Sequence, residues 1–489
     1  MKKILCVILA SLMVLSLCAC AGGGAEQTQP AAADTTAAAQ DVFMAGFAQV
    51  NITPDFAVPL TGYGNQDTRI STGKLNDLFV SVLAVRDAEG NSAVMISADL
   101  MINQHTYTLA LANWVQDELG IPASNVIFSS KHQHSTPDLV GEFDKFAQPI
   151  IKDAIKQAVE DLAPAEMYIN SLETKSLNFV RHYWNTKGEM VTPNHGDASV
   201  GLVSHESEVD NVMQFVKFKR TGDDKKDIVV VNFQTHPYKS TSGTKTQISS
   251  DWIGVMREKA SKELDCNVMY FSGAGGNVAD RGELEGENKY TDFKAHGEAA
   301  AKYIIKAEEG YEKVETGTVK AKQITVDYKT DKSMSHLISE AAPIQDEMKN
   351  GDFNKAKEMA AANPNINSIY HANYIMIKSS QGDTRSMTIS AISLGDVAFT
   401  AHPYEMFDTN GMELKGGTVG NENYAAEDQL ENPYKMTIVT TIANGYHSYI
   451  PSKIGYENGG YATDVTYFAP GSGELIVGDY LHILNELHG

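Results

Sequence analysis

The chain has 489 residues and a formal net charge of −22, with 62 acidic against 40 basic side chains. Such an acidic surface excludes nucleic acid and an anionic bilayer as electrostatic partners. Of the four cysteines, Cys6, Cys18 and Cys20 lie in the leader; Cys266 is left alone in the body, so neither an intrachain disulfide nor dithiol redox chemistry is open to it.

Met1-Lys2-Lys3 followed by ILCVILASLMVLSL reads as the basic and apolar regions of a secretory signal. It ends in Leu17-Cys18-Ala19-Cys20, which resembles a bacterial lipobox. That resemblance implies removal of residues 1–19, acylation of Cys20, and a protein anchored by lipid to the outside of the cell membrane. Residues 20–41, rich in Ala, Gly, Thr and Gln, read as a flexible tether. The body, 42–489, is long enough for one large domain. No second apolar stretch is long enough to span a bilayer.

Within the body, apolar β-rich runs alternate with stretches of helical period. SAVMISADLM (92–101) predicts a buried strand, TYTLALANWVQDELG (106–120) a helix, NVIFSS (125–130) a strand and AQPIIKDAIKQAVEDLA (147–163) a helix. The pattern repeats as IVVVNFQTH (228–236), WIGVMREKASKELD (252–265) and NVMYFSG (267–273). Residues 330–375 turn helical and polar and predict an insertion. TISAISLGDVAFTAHPYEMF (388–407) returns to strand, and a Tyr- and Gly-rich tail closes the chain. Continuously apolar strands alternating with amphipathic helices predict an α/β fold, with mixed sheets covered by helices in one large catalytic domain.

Open α/β sheets bind ligands where their strands end, and polar residues collect there. His132 and His134 follow NVIFSS; side chains two apart on an extended segment share a face, so both rings would project together. His236 follows IVVVNFQT, His402 and Glu405 follow DVAFTA, and ANGYHSYIPS adds Tyr446, His447 and Tyr449. A lone histidine at a strand end is ordinarily a hydrogen-bonded structural residue. Several of them, with a carboxylate, are the makeup of a catalytic zinc site with an open position. A His-x-His-x-Asp-His metallohydrolase motif is excluded, because Thr136 and Pro137 stand where its aspartate and last histidine belong. A lipid-anchored solute-binding protein remains the non-enzymatic alternative.

In order along residues 44–470, the chain resembles the neutral/alkaline non-lysosomal ceramidases, zinc amidases that split ceramide into sphingosine and fatty acid. GFAQVNITPDFAVPLTGYGN is similar to the family's opening strand and Gly-Tyr turn. KHQHSTPD stands at its Thr-His-Thr-His-Ser-Gly-Pro, and FVRHYW at its Asn-Arg-Ser-Pro. QTHPYKSTSGTKTQISSDWIG resembles the second zinc-histidine segment, and FSGAGGNVAD the Asn-Ala-Gly-Asp-Val-Ser-Pro loop. NGYHSYIPSKIGYENGGYATDVTYFAP resembles the Tyr-rich tail.

The resemblance implies that His132, His236, Glu405 and Tyr449 hold one zinc ion. It places His134, Arg181 and Tyr461 against a ceramide-like N-acyl lipid, and Ser250 at a serine needed for activity. Phe143, Tyr183 and Trp184 are expected to line an acyl cleft. Lys131, Asn277 and Trp252 depart from the family's Thr, Asp and Asn, and its C-terminal immunoglobulin-like domain has no counterpart. A buried Lys131 requires a counter-charge, supplied by a carboxylate-bearing substrate or by Asp99 or Asp138.

Overall fold

Strands Ser92–Ala98, Val126–Ser130 and Ile228–Phe233 are buried at every position, which is why they read as unbroken apolar runs rather than alternating ones. They belong to a nine-stranded sheet in the computed structural model, which describes residues 42–63, 69–193, 199–241, 245–366, 368–416 and 430–489. The signal segment, the tether and Cys20 lie outside the described residues.

The order across the sheet is Asn267–Ser272, Ile228–Phe233, Val212–Arg220, Ala163–Glu173, Met44–Asn51, Phe79–Arg86, Ser92–Ala98 and Val126–Ser130, with Glu312–Val314 pairing on Ala163–Glu173. The four central strands and their joins are antiparallel, and each end of the sheet is a parallel pair. Each parallel pair has a crossover helix, as such pairs require. His105–Leu119 joins Ser92–Ala98 to Val126–Ser130, and Asp251–Leu264 joins Ile228–Phe233 to Asn267–Ser272. Sequence periodicity had marked both helices to within one residue of these ends.

A second sheet, Val319–Lys329, Thr384–Leu394, Val397–His402 and Met436–Thr441, closes on the first. Phe218, Met269 and Phe271 of one sheet share a core with Ile392, Phe399 and Ile438 of the other. Cross-sheet hydrogen bonds run from Asn232 Nδ2 to the Val439 carbonyl at 3.0 Å and from Asn444 Nδ2 to the Val126 carbonyl at 3.1 Å. The parallel pair at one end of the first sheet is thereby held against the parallel pair Val397–His402 and Met436–Thr441 of the second. The predicted insertion is three helices, Ile338–Lys349, Phe353–Ala362 and Ile369–Ser380, around their own small core of Ala341, Ile344, Ala360, Ala372 and Ile375. Among the described residues no helix is long and apolar enough to cross a membrane. Two departures from the ceramidase pattern are structural: Trp252 is fully buried against Tyr270, and Asn277 exchanges hydrogen bonds with Asp408 at 2.8 and 2.9 Å.

Candidate metal centre

His132, His236 and Glu405 come from three strand ends that lie more than a hundred residues apart in sequence, and they meet in the structure. Glu405 Oε2 lies 3.3 Å from His132 Nε2 and 3.0 Å from His236 Nε2. All three residues are buried. His236 Nδ1 donates to the Val278 carbonyl at 2.9 Å, and His132 Nδ1 faces the Met101 carbonyl at 3.3 Å. Backbone acceptors on Nδ1 fix the tautomer that leaves each Nε2 with a lone pair for a ligand.

His134 completes a group with His132 and His236 whose nitrogens lie within 4.8 Å of one another and could hold a metal ion. The route by which His132 and His134 meet differs from the expectation. The strand stops at Ser130, and His132 adopts a left-handed φ of 60°. This conformation is costly for a residue with a side chain and persists where the surroundings impose it. The rings still approach to 4.9 Å between centroids, brought there by a turn rather than a pleat.

Close backbone approach finishes the pocket. Gly62, at φ 117°, lies where a Cβ would sit 2.8 Å from the His134 side chain, and a Cβ on Gly276 would sit 2.7 Å from the Glu405 carbonyl oxygen. Only glycine admits these contacts. The Gly-Tyr turn thus brings Tyr63 edge-on to His134, with ring centroids 5.3 Å apart.

The electrostatics keep the donors in ligating form. Burial, then the Arg181 charge, pushes His236 down to about 4; burial, then the neighbouring imidazoles, holds His134 well below its ordinary value. Burial opposes ionisation of Glu405, but the two imidazoles at its Oε2 outweigh burial and hold the carboxyl well below its usual range. His134 Nδ1 and Nε2, His236 Nε2 and Glu405 Oε2 are buried without hydrogen-bond partners. Orphaned polar atoms are rare in native interiors, and a group in which each of His132, His134 and His236 can turn one nitrogen to a common point fits a cation.

Arg181 and Tyr449 border this point. Arg181 Nη2 donates to the Gly276 carbonyl at 2.7 Å and to Tyr449 Oη at 3.1 Å, while its Nε is buried and unbonded. Burial disfavours the guanidinium charge, but Tyr449, Tyr238 and Glu405 outweigh it and keep Arg181 ionised. Tyr461 lies edge-on to Tyr449 at 5.9 Å. Of the expected zinc set, then, the structure brings together His132, His236 and Glu405, holds the Tyr449 hydroxyl on Arg181, and adds His134 to the donors.

Other candidates lie elsewhere. The Ser250 hydroxyl makes no hydrogen bond and lines a separate cavity of about 1130 Å³ with Asn76, Gly254 and Arg257. None of the site histidines lines that cavity. His402 is bonded through both nitrogens, to Tyr404 Oη and Thr400 Oγ1 at 2.8 Å each, and His447 Nδ1 accepts from Arg385 Nε at 2.9 Å. Phe143 packs in the core of the first sheet and not in a cleft. Sequence reasoning missed Tyr63 and Tyr238, whose rings lie 5.3 and 5.8 Å from His134; the only signal was their position beside the Gly-Tyr turn and in His-Pro-Tyr. It also missed Tyr370 of the helical insertion, which donates to the Tyr63 carbonyl at 3.0 Å across the site.

No protein-family model matches the chain, and no curated protein does. Solved structures do. The neutral ceramidase from Pseudomonas aeruginosa superposes with a TM-score of 0.65 at 15% identity, covering 91% of this chain and 74% of that one. A ceramidase complexed with C2 gives 0.64 at 14% identity, covering 91% and 75%. The fold is therefore that of the neutral ceramidases, mixed α/β in one large domain.

Proposed function

We propose that the chain is a zinc-dependent amidohydrolase that cleaves the amide of ceramide or a related N-acyl lipid, releasing a sphingoid base or amine and a fatty acid. The observation that carries this reading is the convergence of His132 Nε2, His236 Nε2 and Glu405 Oε2 at one buried point, the last two without hydrogen-bond partners. It sits within a fold shared with proteins named as ceramidases, and the donors are of the N/O type that zinc accepts.

His132, His236 and Glu405 would hold the ion, with Tyr449 adding a fourth donor. A bound zinc ion supplies Lewis acidity and lowers the pKa of a water toward neutrality. The rest falls to the chain's own residues. Arg181, fixed by Gly276 and Tyr449, turns its unbonded Nε–H toward the charge that develops on the amide oxygen. His134, neutral and unbonded at both nitrogens, takes up the proton and delivers it to the departing amine. Tyr461 and Tyr63 hold the substrate's polar head beside it. Acylated Cys20 would tether the domain to the outer face of the membrane, where N-acyl lipids partition.

A second substrate reading, an N-acyl amide other than ceramide, is favoured by the tyrosine rim. Tyr63 and Tyr238 set their rings against His134, Tyr461 lies edge-on to Tyr449 and Tyr370 reaches the Tyr63 carbonyl, so the rim is built of aromatic rings rather than aliphatic walls. The test is to load purified protein with zinc and follow amine release from N-acyl sphingoid bases and simpler N-acyl amines. One equivalent of zinc with turnover of either class supports hydrolysis and ranks the substrates. A protein that retains no transition metal, or that retains zinc and cleaves neither class, overturns the reading and favours solute binding.

A further inference from the structure

Glu405 has two carboxylate oxygens, and the fold treats them differently. Oε2 faces His132 and His236 and accepts no hydrogen bond. Oε1 accepts a hydrogen bond from Tyr446 Oη at 2.7 Å, a short bond of the kind made to an ionised acceptor.

The backbone around Tyr446 is built to deliver it. Asn444 is left-handed at φ 59° and Gly445 takes φ 150°. A Cβ on Gly445 would press to 3.3 Å on both His105 and Pro403. The Asn444 side chain ties this turn to the first sheet, accepting from Phe128 N at 2.9 Å and donating to the Val126 carbonyl at 3.1 Å. The same strand, Val126–Ser130, leads into His132. One turn therefore registers the tyrosine, the carboxylate and the first histidine against each other.

We infer that Tyr446 is the positioning residue of the metal centre: by occupying Oε1 it orients the Glu405 carboxylate so that Oε2 alone is presented beside the histidines. This rests on the metal reading above. Without the phenol, Glu405 is free to rotate about its last torsion and to offer both oxygens or neither, so the cost falls on ion affinity and coordination rather than on folding. Outer hydrogen bonds of this kind are worth roughly 10- to 100-fold in metal affinity.

The experiment compares full-length protein with Tyr446→Phe and with Tyr456→Phe. Tyr456 is a half-buried residue of the same terminal segment whose hydroxyl bonds Thr466 at 3.3 Å, away from the donors. Zinc affinity is read by chelator competition, the visible spectrum after Co²⁺ substitution reports coordination, and the metal-free Tm reports folding. Tyr446→Phe should weaken zinc binding roughly 10- to 100-fold and alter the Co²⁺ spectrum, whereas Tyr456→Phe changes neither. Tyr446→Phe binding zinc as tightly as wild type, with the same Co²⁺ spectrum, overturns the inference while leaving the metal reading intact. Wild-type protein that takes up no metal overturns both. Should Tyr446→Phe fail to fold, 3-fluorotyrosine at position 446 keeps the ring and strengthens the donor; an unchanged Co²⁺ spectrum then overturns the assignment.

Discussion

Lys131 and His132 are neighbours in sequence, equally sheltered, and belong to clusters with opposite character. Lys131 Nζ lies 2.7 Å from Asp99 Oδ1, Arg257 Nη2 lies 2.8 Å from Asp99 Oδ2, and Phe79 N also donates to that carboxylate at 2.7 Å. Every charge there has a partner. One residue on, His132, His236, His134 and Glu405 are packed as tightly but leave four polar atoms unbonded. Burying charge is costly unless it is paired, so the first cluster is explained by the fold. The second stays unexplained until a ligand is supplied. The comparison also answers what Lys131 is for: its ammonium is committed to Asp99, so it is not a selector of carboxylate-bearing substrates.

The sharpest way to separate the clusters is to remove one member from each. His132→Ala should abolish stoichiometric zinc and lower amide hydrolysis by at least about 10³-fold, since a metal supplies several kcal/mol of transition-state stabilisation. The metal-free Tm should hardly move. His134→Ala should keep the metal and lose rate; equal metal loss in both variants would make His134 a ligand and not the proton carrier.

Asp99→Asn should do the reverse, costing about 3–5 kcal/mol of stability because two buried cations lose their shared anion. Denaturant melts read it, and a loss below about 1 kcal/mol would show that the cluster relaxes into solvent.

A smaller effect follows from pH. Burial alone would raise the Asp99 carboxyl, but Arg257 and Lys131 outweigh it and hold it at about 2, against an ordinary value of 3.8. A depressed carboxyl contributes stability that is present above about pH 4 and lost as pH falls from there toward 2. That contribution is about 2 kcal/mol by linkage. Acid melts of wild type should show this loss, and Asp99→Asn should lack it.

The smallest change should come from Lys131→Met, which keeps the Asp99–Arg257 pair and the buried volume. Its stability at pH 7 should stay within about 1 kcal/mol of wild type. Burial lowers Lys131 to about 8 from 10.5, so the unfolded chain binds more protons between those values. Stability from this residue rises with pH there, and the variant should lose that rise. An altered preference between ceramide and N-acyl amino acids in Lys131→Met would revive substrate selection by charge.

Sequence by itself determined the elements and the inventory. Apolar runs and 3.6-residue spacing are local properties, so the strands Val126–Ser130 and Asn267–Ser272 and the helix Asp251–Leu264 were legible to within a residue or two. So were the polar residues that follow strand ends, and the helical character of 330–375. Which of those residues meet was decided only by the tertiary structure. His132, His236 and Glu405 converge because the two sheets pack against each other, whereas His402, with the same strand-end placement, turns into the core between Thr400 and Tyr404. Ser250, in a segment that looked like part of the site, lines a cavity that none of the site histidines borders. The left-handed turn at His132, the bond from Tyr446 to Glu405 and the reach of Tyr370 to Tyr63 join segments 41 to 307 residues apart or depend on packing around one residue. Local periodicity carries no record of such contacts, because they are set by sheet order and packing and not by the spacing of side chains along the chain.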